Sequence, residues 1–513
     1  MFSNSTLRQD FLASLVVFLV ALPLCMGIAI ASGVPPATGL LTGIVGGLVV
    51  GSIAGAPLQV TGPAAGLVVI VFKLVQDHGV AMLGPVVLLA GLFQLMAGLL
   101  RLGQWFRAIT PDVIYGMLAG IGVLIFAGQF HVMLDDRPRA SGIQNLFSIP
   151  EAIYKGIFPI DGSPHEMAAL LGLSSIVVLV LWTAYRPAGL RFLPAALVAV
   201  VVASAIAAIG RLEVRYVDVP STLFAAIQIP TLELLQKLAS WEMIFEALGL
   251  AFVASAETQL SAVAVDRMHD GPRADYDREL VAQGVGNMVS GLLGGLPMTG
   301  VIVRSTANVQ AGAKTRLSTI LHGLWLLILV VLFPGVLRLI PISCLAAVLV
   351  YTGWKLMNPQ HVRRLVSYGK LPLAIYLATV VGIVTTDLLK GVLLGLALSL
   401  LRLLYEMTHL KVRVERPDAE RADLHLEGSA TFVRLPTLAK ALESVPRGVA
   451  LHIHLDKLNY IDHACLELIG DWEEKNKIYG STLVVEWEEL VSRYRRPFRE
   501  DTTSEARRLV SVR

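Results

Sequence analysis

The chain has 513 residues, of which 55% are hydrophobic and only 16% are charged, and its formal net charge is +3. Soluble globular domains carry about 25% charged residues, so this composition, with a mean hydropathy of +0.67, indicates a polytopic membrane protein. The three cysteines, Cys25, Cys344 and Cys465, are too scattered for a disulfide framework or a CxxC metal site.

Apolar segments recur from Phe11 to Leu404. The first follows MFSNSTLRQD without a small-residue cleavage site, so we expect a retained helix rather than a signal peptide. We predict fourteen membrane segments, two of which, after Thr61 and at Arg304, are too short to span a bilayer. Their predicted ranges are 11–33, 38–55, 63–76, 80–100, 110–131, 167–185, 192–210, 243–266, 276–296, 304–312, 316–339, 341–357, 371–387 and 389–407.

The topology follows from the even number of segments, which places both termini on one side of the membrane. Lys and Arg concentrate in the loops on the N-terminal side, so the positive-inside rule predicts that both termini are cytoplasmic. We expect the membrane to be a bacterial inner membrane. These loops include Arg107, Arg191 and the charged stretch DRMHDGPRADYDRE (266–279), which we expect to be solvated. Asp387 and Lys390 are expected to form a tight turn at a helix end.

The composition changes after His409. Residues 1–409 are predicted to form the transmembrane domain and 410–513 a small α/β domain with a loosely ordered tail from Arg493. In the second domain we predict a strand at 450–455, an amphipathic helix at 463–480 and a strand at 481–487. His452 and His454 would share one face of the first strand, but a metal site would need further ligands.

Two stretches of the membrane region repeat one design. LQVTGPAAGLVV (58–69) predicts a short strand and a helix beginning at Gly62-Pro63, and GLPMTGVIVRSTANVQAG (295–312) predicts a β-like VIV before a short helix. They lie seven segments apart, so the second half is inverted relative to the first, as in many transporters. The alternative is that Gly and Pro are simply frequent in membrane helices.

Paired half-helices have a physical consequence. A helix that begins inside the membrane leaves its first N–H groups unpaired and points its positive dipole end at the gap. Two such ends that face each other would form an anion site.

Glu257 is the only charged residue between Ala247 and Val265. An ionisable group inside a membrane helix is a functional hypothesis by default. Glu257 could be a protonated structural residue, an ionised ligand of a sodium ion, or a proton carrier that titrates during transport.

Several motifs together resemble those of the SulP (sulfate permease) anion-transporter family. They are ALPLCMGIAIASGVPPATGLLTG, QVTGPAAG, the Glu257 helix and VRSTANVQAGAKTRLS, and the C-terminal segment resembles the family's STAS domain. The resemblance implies a seven-plus-seven inverted repeat with two half-helices and a core domain that moves as an elevator against a gate domain. It also implies a homodimer with a cytoplasmic α/β STAS domain.

The resemblance places an anion between the two half-helices, with Glu257 and Ser261 as ion-coupling residues. The substrate-binding residues that it implies are Leu24, Ile28, Thr61, Gly62, Pro63, Val303, Arg304 and Ser305.

The sequence departs from the family pattern, or from that of one branch, in four respects. GLLTG (39–43) lacks a frequent tyrosine, and the first-helix pocket positions are apolar. A sodium-coupled bicarbonate branch carries Gly and Asp where this chain has Arg304 and Glu257. In the STAS-like loop Ala464 stands at the usual phosphoserine position, so phosphorylation there is not expected.

Arg304 favours the proton-carrier role of Glu257. Its guanidinium stays charged and needs a partner, and we expect that partner to be Glu257, with protonation of Glu257 freeing Arg304 for the anion. Through this exchange, proton and anion would bind cooperatively, as a symporter requires. The alternative is that Arg304 snorkels to the interface.

We therefore predict a secondary transporter of small inorganic or carboxylate anions, such as sulfate, bicarbonate or dicarboxylates, with H⁺ as the coupling ion. Sodium-coupled bicarbonate uptake and an anion channel or STAS-regulated sensor are the alternatives. The sequence has no catalytic set, P-loop or metal signature, so neither an enzyme nor a cofactor or metal site is expected. Partners are membrane lipid and a second copy of the chain, with no nucleic acid.

Overall fold

The computed structural model describes residues 4–105, 110–139, 141–158, 165–187, 190, 193–218 and 226–485. The tail from Arg493, the end of the predicted strand at 486–487, and the basic residues Arg107 and Arg191 lie outside these ranges. The chain divides into two compact units, Met1–Leu396 and Ala397–Arg513.

The first half of the membrane region is helical, with one very short strand. Its strand β1 spans Thr61–Pro63 and leads through a 3₁₀ turn, Ala65–Leu67, into α4. A π-helical stretch, Gly46–Val50, joins α2 to α3. The helices are α1 (Asn4–Ala31), α2 (Pro36–Val45), α3 (Gly51–Ile53), α4 (Val68–His78), α5 (Leu83–Leu99), α6 (Pro111–Met133), α7 (Gly142–Phe147), α8 (Ile149–Ile157), α9 (His165–Tyr185), α10 (Ala195–Ile209) and α11 (Leu232–Lys237).

The second half repeats this order. Its strand β2 spans Met298–Gly300 and is followed directly by the short helix α14. The helices are α12 (Trp241–Asp266), α13 (Tyr276–Leu292), α14 (Ile302–Gln310), α15 (Leu317–Leu332), α16 (Pro334–Leu337), α17 (Ile342–Leu356), α18 (Pro359–Tyr368), α19 (Lys370–Thr385) and α20 (Leu388–Thr408).

The fourteen predicted segments are present, with boundaries shifted by a few residues. Seven described helices are long and apolar enough to cross a membrane, and the half-helices α4 and α14 are much shorter. Packing follows the repeat: α1 packs on α15, and α12 packs on α5. The equivalent helices of these two contacts, α1 with α12 and α5 with α15, lie seven segments apart. The fold is therefore a polytopic seven-plus-seven inverted repeat.

Close helix contacts depend on glycine where backbones meet. Gly84 and Gly91 of α5 lie against Gly291 and Gly284 of α13, and a Cβ at any of these positions would overlap the other helix. Small residues allow such approaches in membranes, where lipid supplies no hydrophobic drive between helices.

The C-terminal unit contains a four-stranded sheet in the order β3-β4-β5-β6. β3 pairs with β4 antiparallel, and the remaining pairs are parallel. Alternate strand residues such as Leu424 and Ile453 are buried against helix residues such as Leu438 and Ile469. The elements are β3 (Leu410–Glu415), β4 (Arg421–Ala430), α21 (Leu435–Glu443), β5 (Ala450–Ile461), α22 (His463–Lys477) and β6 (Thr482–Val485).

Candidate functional site between the half-helices

Two three-residue strands bring the half-helices together. β1 and β2 pair antiparallel, with Gly62 opposite Thr299 and Pro63 opposite Met298. Since each strand leads into a helix, α4 and α14 leave the pair in opposite directions and their N-termini lie at its two ends. On α14, the N–H of Ser305 donates to the carbonyl of Val301, while the preceding N–H groups belong to the unpaired first turn.

The strand pair corrects two predicted boundaries. Gly62 and Pro63 belong to β1 rather than to a helix, which begins only with the 3₁₀ turn at Ala65. The predicted β-like stretch at 301–303 is replaced by β2 at Met298–Gly300. The reason is tertiary: the N–H of Val301 donates to Val60 O at 2.9 Å, which ends the ladder and lets α14 begin at the next residue.

Helix α12 is fastened to both strand segments by Thr258. Its hydroxyl accepts a 3.1 Å hydrogen bond from the N–H of Gly300, and its carbonyl accepts a 3.0 Å bond from Gln59 Nε2. These contacts place the neighbouring residue, Glu257, beside the strand pair.

The carboxylate of Glu257 lies against the first half-helix. A Cβ on Gly66, in the turn that opens α4, would lie 2.6 Å from Oε2 and 3.0 Å from Oε1 of Glu257. Oε2 has no hydrogen-bond partner among the described residues. Glu257 therefore occupies the positive end of a half-helix, where an anion would also bind.

Arg304 lies against β1 and is fully buried. Its Nη2 donates to the carbonyl of Pro63 at 3.4 Å, and a Cβ on Gly62 would overlap Nη1. Cys25 of α1 is a second neighbour. The snorkelling alternative is therefore wrong, because the guanidinium does not reach an interface.

The expected ion pair between Glu257 and Arg304 is not formed. Within the described part of the chain, no carboxylate oxygen lies within 4.0 Å of the guanidinium nitrogens, and Nε and Nη1 make no hydrogen bond. The physical reason is the position of β1: Arg304 packs on its Gly62–Pro63 backbone, whereas Glu257 faces the turn at Gly66. The Arg304 cation therefore has the backbone of β1, and not the Glu257 carboxylate, as its immediate neighbour.

The predicted hydroxyl residues divide into two groups. Thr61 Oγ1 accepts a 2.8 Å hydrogen bond from Gln283, and Ser305 Oγ accepts a 2.9 Å bond from the N–H of Val60. Both hydroxyls are therefore engaged in hydrogen bonds that stabilise β1 and the residues next to it. Ser261, one turn after Glu257, is buried, and its hydroxyl lacks a hydrogen-bond partner among the residues described.

The predicted apolar residues also differ in exposure. Leu24 and Ile28 of α1 are buried, whereas Val303 in the first turn of α14 is 50% exposed. Val303 is therefore the most exposed of the predicted pocket residues near the half-helix ends.

A buried polar network that is not evident from the sequence supports the strands. Glu279 of α13 is fully buried, and its carboxylate accepts 2.9 Å hydrogen bonds from the N–H of Ala56 and from Gln283. One turn after Gln283, Asn287 donates to Met298 O and accepts from its N–H. The spacing of these residues by four on one helix was the available signal.

The predicted solvated loop at 266–279 is exposed or half-exposed from Arg267 to Asp275, and the structure corrects only its two ends. Glu279 lies inside the protein, and Asp266 is nearly buried, with its carboxylate accepting from the N–H of Ala274 and the hydroxyl of Tyr276. Both carboxylates hold backbone in place. The predicted turn at Asp387 is confirmed, since its carboxylate accepts from the N–H of Lys390 and lies 3.0 Å from its ammonium group.

His454 of β5 has two neighbours on the adjacent strand β4 that the sequence alone does not reveal. His454 lies 3.5 Å from Asp423, and its ring stacks on His425 with the centroids 4.5 Å apart. Stacked parallel rings do not converge on a common ion.

Comparison with known proteins places this architecture among anion transporters. A profile described as the Sulfate permease family matches residues 7–379. YvdB of Bacillus subtilis, assigned by name to sulfate transport, is 28% identical over 501 residues, which cover 93% of this chain and 91% of that protein.

Two solved structures share the fold. The transmembrane domain of a cyanobacterial bicarbonate transporter, BicA, is 25% identical with a TM-score of 0.64 and covers 76% of this chain and 98% of that one. The overall structure of SLC26A9 matches with a TM-score of 0.72 at 16% identity, covering 96% of this chain and 87% of that chain, which shows a common fold.

Proposed function

The chain belongs to the sulfate permease family, and on that premise we propose that it is a proton-coupled secondary transporter of a small anion. Members of this family are multi-pass membrane transporters, so the chain carries anions and is not an enzyme. The substrates we propose are sulfate, bicarbonate or a dicarboxylate, because a site of helix ends and buried cationic charge recognises negative charge.

The observation that carries the proposal is the contact of the Glu257 carboxylate with the turn at Gly66. An ionised Glu257 places a negative charge on the positive end of α4 and repels an arriving anion. Protonation removes that charge, so the helix end becomes free. Proton and anion then favour each other's binding, which is the linkage that symport requires.

In this proposal Arg304 acts through its charge at a distance rather than as a direct ion-pair partner of Glu257. Its charge lies behind Gly62 and Pro63, without a described carboxylate within 4.0 Å. In a low-dielectric interior a charge acts over several ångströms, so Arg304 would keep the potential between the half-helices positive through the strand. Thr61, Gly62, Pro63 and Ser305 would shape the site, and Val303, Ser261, Leu24 and Ile28 would line it.

The transport step we propose is an elevator motion of a core domain that carries the half-helices and α12 against a gate domain. The chain would work as a homodimer in a bacterial inner membrane with both termini in the cytoplasm, and residues 410–513 would form a cytoplasmic STAS domain. The predicted domain boundary at residue 409 is part of this proposal.

Reconstituted vesicles provide the test. Purified protein is assayed for uptake of sulfate, bicarbonate and dicarboxylates under an imposed proton gradient, an imposed sodium gradient or neither. The proposal expects saturable uptake that accumulates when the proton gradient is inward. Uptake of every anion that ignores the proton gradient would contradict it.

Sodium-coupled bicarbonate uptake is the second candidate, because a similar structure is that of a bicarbonate transporter. It predicts bicarbonate uptake that requires sodium at constant pH. An anion channel would instead give currents without accumulation, so the same assay distinguishes all three.

A further inference from the structure

A cluster of metal-ligating side chains lies at the far end of the first half-helix from the anion site. His78 is the last residue of α4, and Glu242 and Glu246 stand one turn apart near the start of α12. One ligand atom from each lies within 4.8 Å of the other two. Neither the N-terminal ends of the half-helices nor Glu257 belongs to this cluster.

We propose that His78, Glu242 and Glu246 form a binding site for a divalent transition-metal ion of the zinc class. His78 Nε2 lies 3.4 Å from Glu246 Oε1 and 3.8 Å from Glu242 Oε1. Zinc bonds to imidazole and carboxylate are about 2.0–2.2 Å long, so donors of a tetrahedral ion lie about 3.4 Å apart. The two separations from His78 are therefore close to the value for one ion, and all three donors lie within 4.8 Å of one another.

The donor atoms themselves point to a ligand. His78 Nε2 and Glu246 Oε2 are both shielded from solvent, and neither makes a hydrogen bond of ordinary geometry with any described residue, although Nε2 faces Glu246 Oε1 at 3.4 Å. A buried polar atom without a partner is costly, and an ion held between the two would remove that cost. The C-terminal end of α4 also carries the negative end of the helix dipole, which favours a cation.

Solvent access and an open coordination position are available. A cavity of about 410 Å³ adjoins the cluster and is lined by His78, Glu242, Met82, Gln236 and Ser240, among others. Three protein ligands leave a fourth position for water, and Glu242 is exposed enough to deliver an ion. A bound ion would tie the end of α4 to α12, the helix that carries Glu257 eleven residues further on.

The competing explanation is a simple ion pair between protonated His78 and the two glutamates. Both glutamates also suit the N-terminal end of α12. This explanation predicts no affinity for metal, so a binding experiment separates the two.

The test is zinc titration of the purified, chelator-treated full-length chain, followed by calorimetry and by thermal unfolding. We expect one Zn²⁺ per chain and an unfolding temperature that rises with zinc. His78→Ala and Glu246→Gln should each weaken binding at least about tenfold. Glu242→Gln, at an exposed position where folding is not at risk, should also weaken it.

His269→Ala is the matched control, since His269 lies in a loop and bonds to the N–H of Gly271. It should leave zinc affinity unchanged. A wild-type chain that does not bind zinc at micromolar concentration, or a Glu242→Gln chain with wild-type affinity, would overturn the site. Neither result depends on transport, so the proposed function would stand.

Discussion

Gly66 is the residue through which the position of Glu257 can be tested without altering the carboxylate. A Cβ there would lie within 3.0 Å of both carboxylate oxygens, so Gly66→Ala should push the Glu257 side chain off the helix end. The ionised form would no longer compete with the anion, and the pH dependence of uptake should flatten. Uptake is measured in vesicles across the pH range.

Gly335→Ala is the control for this substitution, because nothing lies within 4 Å of a Cβ at that position. It should transport like the wild type. A Gly66→Ala chain that keeps the full wild-type pH profile would show that Glu257 does not act at the half-helix end.

Arg304 offers a second test, of charge against hydrogen bonding. If the guanidinium acts through β1 by its charge, Arg304→Lys should retain KM within about tenfold of the wild type, and Arg304→Met should raise KM by more than about tenfold. Equal losses in both variants would instead show that the geometry of the guanidinium is what matters. Initial uptake rates over a range of anion concentrations give the values.

At the scale of secondary-structure elements, the anchoring of the β1–β2 strand pair to α12 through Thr258 can be tested. Thr258→Val leaves the buried N–H of Gly300 without its acceptor and should cost about 1–3 kcal/mol. The measurement is thermal unfolding of the detergent-solubilised chain. Thr352→Val is the control, since the Thr352 hydroxyl donates within its own helix to Val348 O at 2.8 Å. Equal unfolding temperatures for the two variants would contradict the anchoring role of Thr258.

The elements could largely be predicted because apolar length and Gly/Pro breaks are local signals. Strands of three residues could not, because Thr61–Pro63 exists only through its partner Met298–Gly300. The direction in which the Arg304 side chain points could not be predicted either. Successive helix residues point about 100° apart, so whether this side chain faces β1 depends on how α14 is rotated against the strand. Glu279 looked like a loop residue because its partner, the N–H of Ala56, is distant in sequence.

At the scale of the whole molecule, the elevator proposal predicts that the half-helix ends change sides. Val303 is half-exposed, whereas Cys25, Cys344 and Cys465 are buried, so a single Val303→Cys substitution gives a specific label. The new thiol should react with a membrane-impermeant maleimide from either face of the membrane, and bound anion should change the rates.

Phe147→Cys is the fixed reference, because Phe147 is exposed at the end of α7. This helix lies between the fifth and sixth predicted segments, which the predicted topology with cytoplasmic termini places on the outer face. It should be labelled from the outer face alone. Labelling of Val303→Cys from a single face under every condition would contradict the motion.

The most direct test of the central claim is a count of protons carried with each anion. Vesicles that contain the protein and a trapped pH indicator receive a transported anion other than bicarbonate, and anion uptake and internal pH are recorded together. The wild type should acidify the interior in a fixed ratio to the anion, and Glu257→Gln should move the anion with no acidification and no pH dependence. The same proton-to-anion ratio in both proteins would contradict the role of Glu257.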